Sequence, residues 1–180
     1  METVNFDPSL IEADTDLLTD SRSLADPERT LFFAFETPMA DGHRYIPALY
    51  GRGVRRFAVS RVPQEEYPGA TFYLCDPREA LQALGQRKRD SFAGPLIAVT
   101  GSRGKTQVKE MLNAMLREDH NIARSPRSYN SQIGVPLSLW GLTPGTELGI
   151  FEAGISRPGE MKRLRAMLRP DIAVVTNVLS

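Results

Sequence analysis

The sequence predicts an α/β protein in which a small N-terminal α/β domain precedes a phosphate-loop (P-loop) domain with a mostly parallel sheet. Short apolar runs suited to buried strands alternate with segments of helical periodicity along the 180 residues. One of these strands leads through a glycine-bracketed turn into a helix, in residues 95–106 (PLIAVTGSRGKT). Gly94 and Pro95 break the pattern just before that strand. We therefore expect two domains, residues 1–92 and residues 93–180.

The turn after the apolar run 96–99 has the composition of a phosphate-binding loop. Gly101 and Gly104 let the backbone curl without a Cβ penalty, and Ser102 and Arg103 lie between them. The backbone N–H groups of this turn and of the first helical turn are expected to converge on a positively polarised spot. Such a spot attracts phosphate.

Lys105 and Thr106 complete the loop. Lys105 supplies a positive charge for the outer phosphates, and the Thr106 hydroxyl stands where P-loop proteins hold Mg²⁺. Val99 occupies the position of the first glycine in the usual pattern, so the loop is a short variant. The alternative is an ordinary glycine-rich turn with a chance lysine. The order of strand, turn, Lys-Thr pair and amphipathic helix favours the phosphate loop.

The helix after the loop and the segments of the first domain follow from periodicity. The apolar side chains expected on one face of that helix are Val108, Met111, Leu112, Met115 and Leu116. In the first domain we expect strands at 31–36, 56–60 and 70–75, a helix through Tyr45 to Tyr50, and a second helix over 76–90. His43, which precedes the first of these helices, is interpreted as a surface loop histidine rather than a catalytic one.

Composition narrows the function classes. The 22 basic and 22 acidic side chains cancel, which argues against a general nucleic-acid-binding surface. The N-terminus (METVNFDPSLIEAD) is acidic and has no long apolar run, so we expect neither a signal peptide nor membrane insertion. Cys75 is the single cysteine, which excludes an internal disulfide; we interpret it as a buried structural thiol in the reducing cytoplasm.

Polar residues follow the apolar strands of the second domain. Glu152 lies near the end of the run 147–154, where its apolar part stops, and Asn177 follows the last strand. Because the carboxyl ends of parallel strands line the ligand crevice of an open sheet, we expect both residues to face Lys105 and Thr106, and Asn177 to contact the nucleotide cofactor. A carboxylate there can hold Mg²⁺ against nucleotide phosphates. The alternative for Glu152 is an ion pair with Arg157.

Several motifs together resemble the Mur ligases of peptidoglycan synthesis. TGSRGKT, YNSQIGVP, EAGISRPGEMKRL and PDIAVVTNV occur in the order and at the spacing of the central ATP-binding domain of that family. TDSR, LFFAF and DGHRYIPAL are similar to the first domain, which holds the UDP end of the substrate. The resemblance spans nearly the whole chain.

The resemblance implies roles for individual residues. The loop of residues 101–106 would bind ATP and Mg²⁺, with Lys105 as a catalytic charge. Glu152 would be catalytic as a ligand of a second Mg²⁺, and Asn130 would lie on the substrate side. Ser21 and Arg22 would contact the uridine diphosphate; without the resemblance they would be interpreted as an ordinary cap and a solvent-exposed charge.

The implied activity is an ATP-dependent amide ligation. It would join D-alanyl-D-alanine to UDP-N-acetylmuramoyl-tripeptide through an acyl phosphate. In the family the rest of the ATP-binding domain and a third domain would follow Ser180, so we expect the second domain to be incomplete and the fragment alone to be inactive. The alternative class is a stand-alone P-loop nucleotide-binding module or small-molecule kinase. Binding of the UDP-linked peptide separates the two, since a kinase has no use for that ligand.

Overall fold

The structure is a computed structural model that describes residues 1–155 and 158–178. Its contacts divide the chain into two compact units, Met1–Leu81 and Gln82–Ser180. The division falls earlier than the expected boundary near residues 92–95, because the later part of the helix Pro77–Ser91 packs within the second unit. Gly85 of this helix, for example, lies so close to Pro136 that a Cβ added at Gly85 would be 2.7 Å from the Cα of Pro136.

The first unit is built on a parallel sheet. Its elements are β1 (Glu2–Asn5), β2 (Asp16–Leu18), β3 (Thr30–Phe33), β4 (Glu36–Thr37), β5 (Ala40–Asp41), α1 (Ile46–Gly51), β6 (Arg56–Val59) and β7 (Thr71–Leu74). The strand order is β1-β7-β6-β3-β2 with parallel neighbours, and β4 and β5 form a separate antiparallel hairpin. The predicted strands are confirmed as β3, β6 and β7, and the first predicted helix as α1.

Aromatic side chains fill the core of this unit. Phe57 stacks on Phe72 with ring centroids 5.1 Å apart and meets the edge of Phe32 at 6.5 Å. Ile46 and Leu49 of α1 pack into the same cluster, each about 1% exposed. Burying one such side chain contributes about 1.5–3 kcal/mol. This core fixes the sheet and therefore the loops at its carboxyl edge.

The second unit is also a parallel α/β unit. Its elements are α2 (Pro77–Ser91, which begins in the first unit), β8 (Leu96–Thr100), α3 (Lys105–Leu116), β9 (Ile122–Arg124), α4 (Gly134–Trp140), β10 (Leu148–Glu152), α5 (Glu160–Leu168) and β11 (Ile172–Val175). The strand order is β11-β8-β10-β9, with every neighbouring pair parallel. The predicted fold class, α/β with mostly parallel sheets, is confirmed. The described part of the chain contains no helix long and apolar enough to cross a membrane.

The predicted apolar face of α3 is partly wrong. Val108, Leu112 and Leu116, spaced four residues apart, pack against the sheet as expected. Met111 and Met115 are 63% and 72% exposed instead. The buried face of α3 includes Lys109, which is completely enclosed, in place of the two methionines, which lie at its solvent-exposed edge.

Candidate active site

The turn between β8 and α3 requires glycine at Gly101. This residue has φ +129°, and a Cβ there would lie 2.2 Å from the Thr176 Oγ1. Gly104, the residue before α3, has φ +79°. Positive φ angles of this size are rarely adopted by other residues. The two glycines therefore shape the loop that the sequence predicts.

Asn177 closes this loop. The Ser102 amide donates to the Asn177 backbone oxygen at 2.9 Å, and the Arg103 amide donates to its side-chain Oδ1 at 2.8 Å. The Thr176 hydroxyl donates to the Arg103 carbonyl at 2.5 Å. Two of the loop amides that we expected to face a phosphate are thus engaged within the protein. The predicted place of Asn177 beside the loop is observed, and its contact with a nucleotide stays a prediction.

The donors that remain for an anion lie at the start of α3. The amide of Val108 donates to the carbonyl of Gly104 at 3.0 Å, so the preceding N–H groups of the first turn have no acceptor within the helix. The partial positive charge of the helix end adds to these donors. The Lys105 ammonium folds back over the loop and donates to the Gly101 carbonyl at 2.7 Å.

Hydroxyl groups flank this helix end. The Thr106 Oγ1 lies 3.3 Å from the Ser128 Oγ. Ser128 belongs to the segment of residues 125–130, which crosses the carboxyl edge of the sheet between β9 and α4. Sequence reasoning did not identify Ser128. It adds an oxygen to the predicted metal-binding position of Thr106.

Glu152 is a fully buried carboxylate at the end of β10. Its Oε1 lies 3.1 Å from the Nζ of Lys109, and Lys109 is also fully buried. Its Oε2 accepts a long hydrogen bond of 3.4 Å from the Asn130 Nδ2. The structure thus brings Asn130 and Glu152 together, as expected for two residues of one site. Arg157, the alternative partner, lies outside the described residues.

The carboxylate of Glu152 suits a divalent cation. Oε1 is buried and accepts no hydrogen bond from the described residues, although the Lys109 ammonium is close enough for an ion pair. Carboxylate and hydroxyl oxygens, as supplied by Glu152, Thr106 and Ser128, are the hard ligands that Mg²⁺ prefers. The available donor set therefore fits this metal.

The first unit has a cleft of about 510 Å³ at the carboxyl edge of its sheet. Polar residues after β2 form one wall, aromatic residues of β3 and its end lie beneath, and the β4–β5 hairpin closes the other side. The lining residues include Ser21, Arg22, Phe33, Phe35, Thr37 and Tyr45. Ser21 and Arg22, predicted to contact a substrate, both lie at this cleft.

Asp20 holds Arg22 in place at the cleft. Its carboxylate accepts from the Arg22 backbone amide at 3.0 Å and pairs with the guanidinium at 2.6 Å. These contacts lower the pKa of Asp20 from 3.8 to about 2, with the side-chain hydrogen bond as the largest cause. The capping residue of this turn is therefore Asp20 rather than Ser21, while the Arg22 side chain is 87% exposed and accessible to an anion.

His43 anchors the hairpin of the cleft, and our interpretation of it as a surface histidine is wrong. Its side chain is only 9% exposed, and its Nδ1 lies 2.8 Å from Asp41 Oδ1 and 3.5 Å from Glu36 Oε1. Arg61 pairs with both carboxylates. The buried ring and the guanidinium together fix the hairpin that forms the cleft wall.

The chain is similar to known proteins in sequence and in fold. The Mur ligase middle domain matches residues 99–180. The UDP-N-acetylmuramoyl-tripeptide–D-alanyl-D-alanine ligases of Treponema pallidum and Borreliella burgdorferi are 35% identical over 173 residues and 34% identical over 169 residues. Each alignment covers 88% of this chain and 36% of the relative.

Residues 99–180 belong to the Mur ligase family. Among solved structures, MurF from Acinetobacter baumannii superimposes with a TM-score of 0.80 at 29% identity, covering 88% of this chain and 34% of that one. A MurF ligase from Thermotoga maritima in complex with ADP gives 0.77 at 27% identity, covering 92% and 38%. The chain thus spans about a third of the length of the relatives it matches.

Sequence reasoning missed Lys109 and Ser125 in this Mur ligase site. The Ser125 hydroxyl accepts from the Glu152 amide at 3.0 Å, and Lys109 reaches the same region from α3. The sequence does indicate that Lys109 lies near the site, because it comes four residues after Lys105 and therefore lies on the same side of the helix. Nothing comparable marks Ser125.

Proposed function

We propose that this chain is the front portion of an ATP-dependent amide ligase that adds D-alanyl-D-alanine to UDP-N-acetylmuramoyl-tripeptide. The observation that carries the proposal is the pairing, at one sheet edge of a Mur ligase middle domain, of a glycine-shaped loop at a helix N-terminus with a buried strand-end carboxylate. The relatives that share both units are named for this reaction. The lone thiol of Cys75 fits a reducing, cytoplasmic setting.

The proposed reaction has two steps. In the first, the tripeptide carboxylate attacks the γ-phosphorus of ATP, an acyl phosphate forms and ADP leaves. In the second, the amine of D-alanyl-D-alanine attacks the acyl carbon, the amide forms, and inorganic phosphate leaves with the bonding electron pair while the proton lost by the amine passes to phosphate or water. Lys105 and the amides at the start of α3 stabilise the negative charge that moves in the first step.

Thr106 and Glu152 are the residues proposed to hold Mg²⁺. The metal, when bound, neutralises phosphate oxygens and so reduces their repulsion of an incoming carboxylate. The Asn130 Nδ2 donates to the Glu152 Oε2, so the side-chain amide of Asn130 lies beside the carboxylate proposed to bind the metal. Asn177 keeps the loop in shape from the other side.

The cleft of the first unit is proposed to take the UDP end of the substrate. Arg22 presents a guanidinium, which forms charge-assisted hydrogen bonds to phosphate oxygens. Phe35, which is half-buried just after the end of β3, lines the cleft with apolar surface suited to a base or sugar face. Asp20 limits the freedom of Arg22, so less side-chain entropy is lost on binding.

Calorimetric titration tests the proposal. The full chain is titrated with UDP-N-acetylmuramoyl-tripeptide and, in a separate experiment, with ATP and Mg²⁺. The ligase predicts saturable binding of both ligands, whereas a small-molecule kinase or stand-alone nucleotide module predicts binding of ATP alone. Absence of binding by the UDP-linked peptide contradicts the proposal. Lys105→Ala is expected to lose ATP binding, with the exposed Lys162→Ala as its matched control.

A further inference from the structure

We propose that Lys109 is a positioning residue of the nucleotide site: its buried ammonium holds the segment of residues 125–130 and the Glu152 carboxylate in the arrangement that receives the metal. The inference rests on the proposed function for the identity of the site. Lys109 lies in α3, outside the phosphate loop, and is completely buried.

The Lys109 ammonium is surrounded by oxygens. Its Nζ donates to the carbonyl of Ser125 at 2.7 Å and to the carbonyl of Arg127 at 2.6 Å. It lies 3.1 Å from a carboxylate oxygen of Glu152 and 3.1 Å from one of Glu110. An ammonium has three N–H donors; two of them donate to these carbonyls, and both carboxylates are close enough for an ion pair. Lys109 is therefore a junction between α3, β10 and the segment of residues 125–130.

A simple apolar residue would fill the same space on α3 with less desolvation. Burying an ammonium is costly unless it is paired and hydrogen-bonded, and replacing buried ion pairs by well-packed apolar groups is often neutral or stabilising. Lys109 is nevertheless completely enclosed. A buried lysine with two backbone carbonyls and a site carboxylate as partners specifies geometry rather than stability alone.

The segment that Lys109 holds has an uncommon backbone. Arg127, whose carbonyl accepts from Lys109, has φ +51°, a left-handed value that needs support from its surroundings in a non-glycine residue. The next residue, Ser128, contacts Thr106. Lys109 thus stabilises the conformation that brings the Ser128 hydroxyl to the start of α3.

The same segment ends at Asn130, which is held from two sides. Its carbonyl accepts from the Gly154 amide at 2.8 Å, and a Cβ at Gly154 would lie 2.9 Å from its side-chain Cγ. Its Nδ2 reaches the Glu152 Oε2. Since Lys109 contacts the other oxygen of Glu152, it fixes the carboxylate from the side opposite Asn130. Loss of Lys109 releases both the segment and the carboxylate.

Lys109→Met tests the proposal with two readouts. The first is the ratio of ADP affinities with and without Mg²⁺, measured by calorimetry on the full chain. We expect about a tenfold gain from Mg²⁺ in the unmodified chain and a ratio near one in the variant, with metal-free ADP affinity unchanged. Lys162→Met, at an exposed position of α5, is the matched control and keeps the gain.

The second readout is amide hydrogen exchange followed by NMR. The Ser125 amide donates to the Ile150 carbonyl and the Gly154 amide to the Asn130 carbonyl, so both exchange slowly in the unmodified chain. In Lys109→Met we expect both to exchange at least about tenfold faster while the amides of β8 stay slow. Should β8 also lose protection, Lys109→Met/Glu152→Gln, which leaves no unpaired carboxylate, is measured in its place with the same expectations.

Two results overturn the proposal: a Mg²⁺ gain that survives in the variant, or unchanged exchange of the Ser125 and Gly154 amides. An unmodified chain that binds no ADP at all contradicts the proposed function instead. The exchange readout needs no nucleotide, so in that event it alone decides whether Lys109 positions the segment. Failure of the function and failure of this inference are therefore distinguishable.

Discussion

The Lys109 ammonium lies 3.1 Å from the Glu152 carboxylate, and neither side chain is exposed to solvent. Removing one partner of such a pair leaves an uncompensated buried charge, which typically costs about 3–5 kcal/mol. We expect Lys109→Met and Glu152→Gln each to lower the free energy of unfolding. The double variant is expected to lose less than the sum of the two, by about 1 kcal/mol or more.

Urea unfolding checks this coupling through the fluorescence of Trp140. It is the single tryptophan of the chain and lies in α4, so its signal reports on the second unit. If the double variant lost as much free energy of unfolding as the two single variants together, this would contradict a direct interaction between the two side chains. Lys162→Met again serves as the control for the loss of a lysine charge.

Gly101→Ala is expected to disrupt the phosphate loop. The new methyl group would meet the Thr176 hydroxyl at 2.2 Å and would sit on a backbone with φ +129°. We expect a loss of stability of about 1–3 kcal/mol together with weaker ATP binding. Gly145→Ala is the matched control in the same unit, because its nearest neighbour would be 3.5 Å away. Equal effects of the two substitutions in urea unfolding would contradict the geometry described for the loop.

The Asp20–Arg22 pair gives a pH-dependent prediction. The pKa of Asp20 is lowered to about 2, so the stabilisation from this pair is complete above pH 3.8 and is lost as the pH falls through 2. Arg22→Gln removes the guanidinium but leaves the backbone amide, so the pKa of Asp20 should rise part of the way toward 3.8. A titration of the carboxyl carbon resonance by NMR measures this, and Arg78→Gln is a control in the same unit. An unchanged Asp20 pKa in Arg22→Gln would show that the guanidinium is not its main partner.

Cys75 is expected to react slowly with alkylating reagents. Burial raises the pKa of its thiol from 9.0 to about 11, so at pH 8 the thiolate is roughly a hundredfold scarcer than in the unfolded chain. The rate of modification by iodoacetamide at pH 8, in buffer and in urea, checks this. Similar rates in the two conditions would contradict the buried environment.

Much of the fold could be predicted because the buried strands are short apolar runs. The runs that became β3, β8 and β10 are enclosed by helices or neighbouring strands, so their composition indicates their structure directly. β1 could not be predicted in this way. Its residues are mostly exposed, and it pairs with β7 through backbone hydrogen bonds that leave no mark in the composition.

The candidate site was predictable only where local chemistry determines it. The phosphate loop requires glycines and a lysine at fixed spacing, and these can be read from the sequence. The engagement of the Ser102 and Arg103 amides by Asn177 depends on β11 lying next to β8, which spacing along the chain does not reveal. The burial of Lys109 likewise depends on carbonyls 16 and 18 residues further along the chain.

We predict that the chain carries a site for ATP in its second unit and a site for the UDP-linked peptide in its first. An NMR titration of the full chain with each ligand in turn tests this claim most directly. We predict that ATP with Mg²⁺ shifts the amide resonances of Lys105 and Thr106, and that UDP-N-acetylmuramoyl-tripeptide shifts those of Ser21 and Arg22. The absence of shifts at either set of residues, or shifts of the same residues by both ligands, would contradict it.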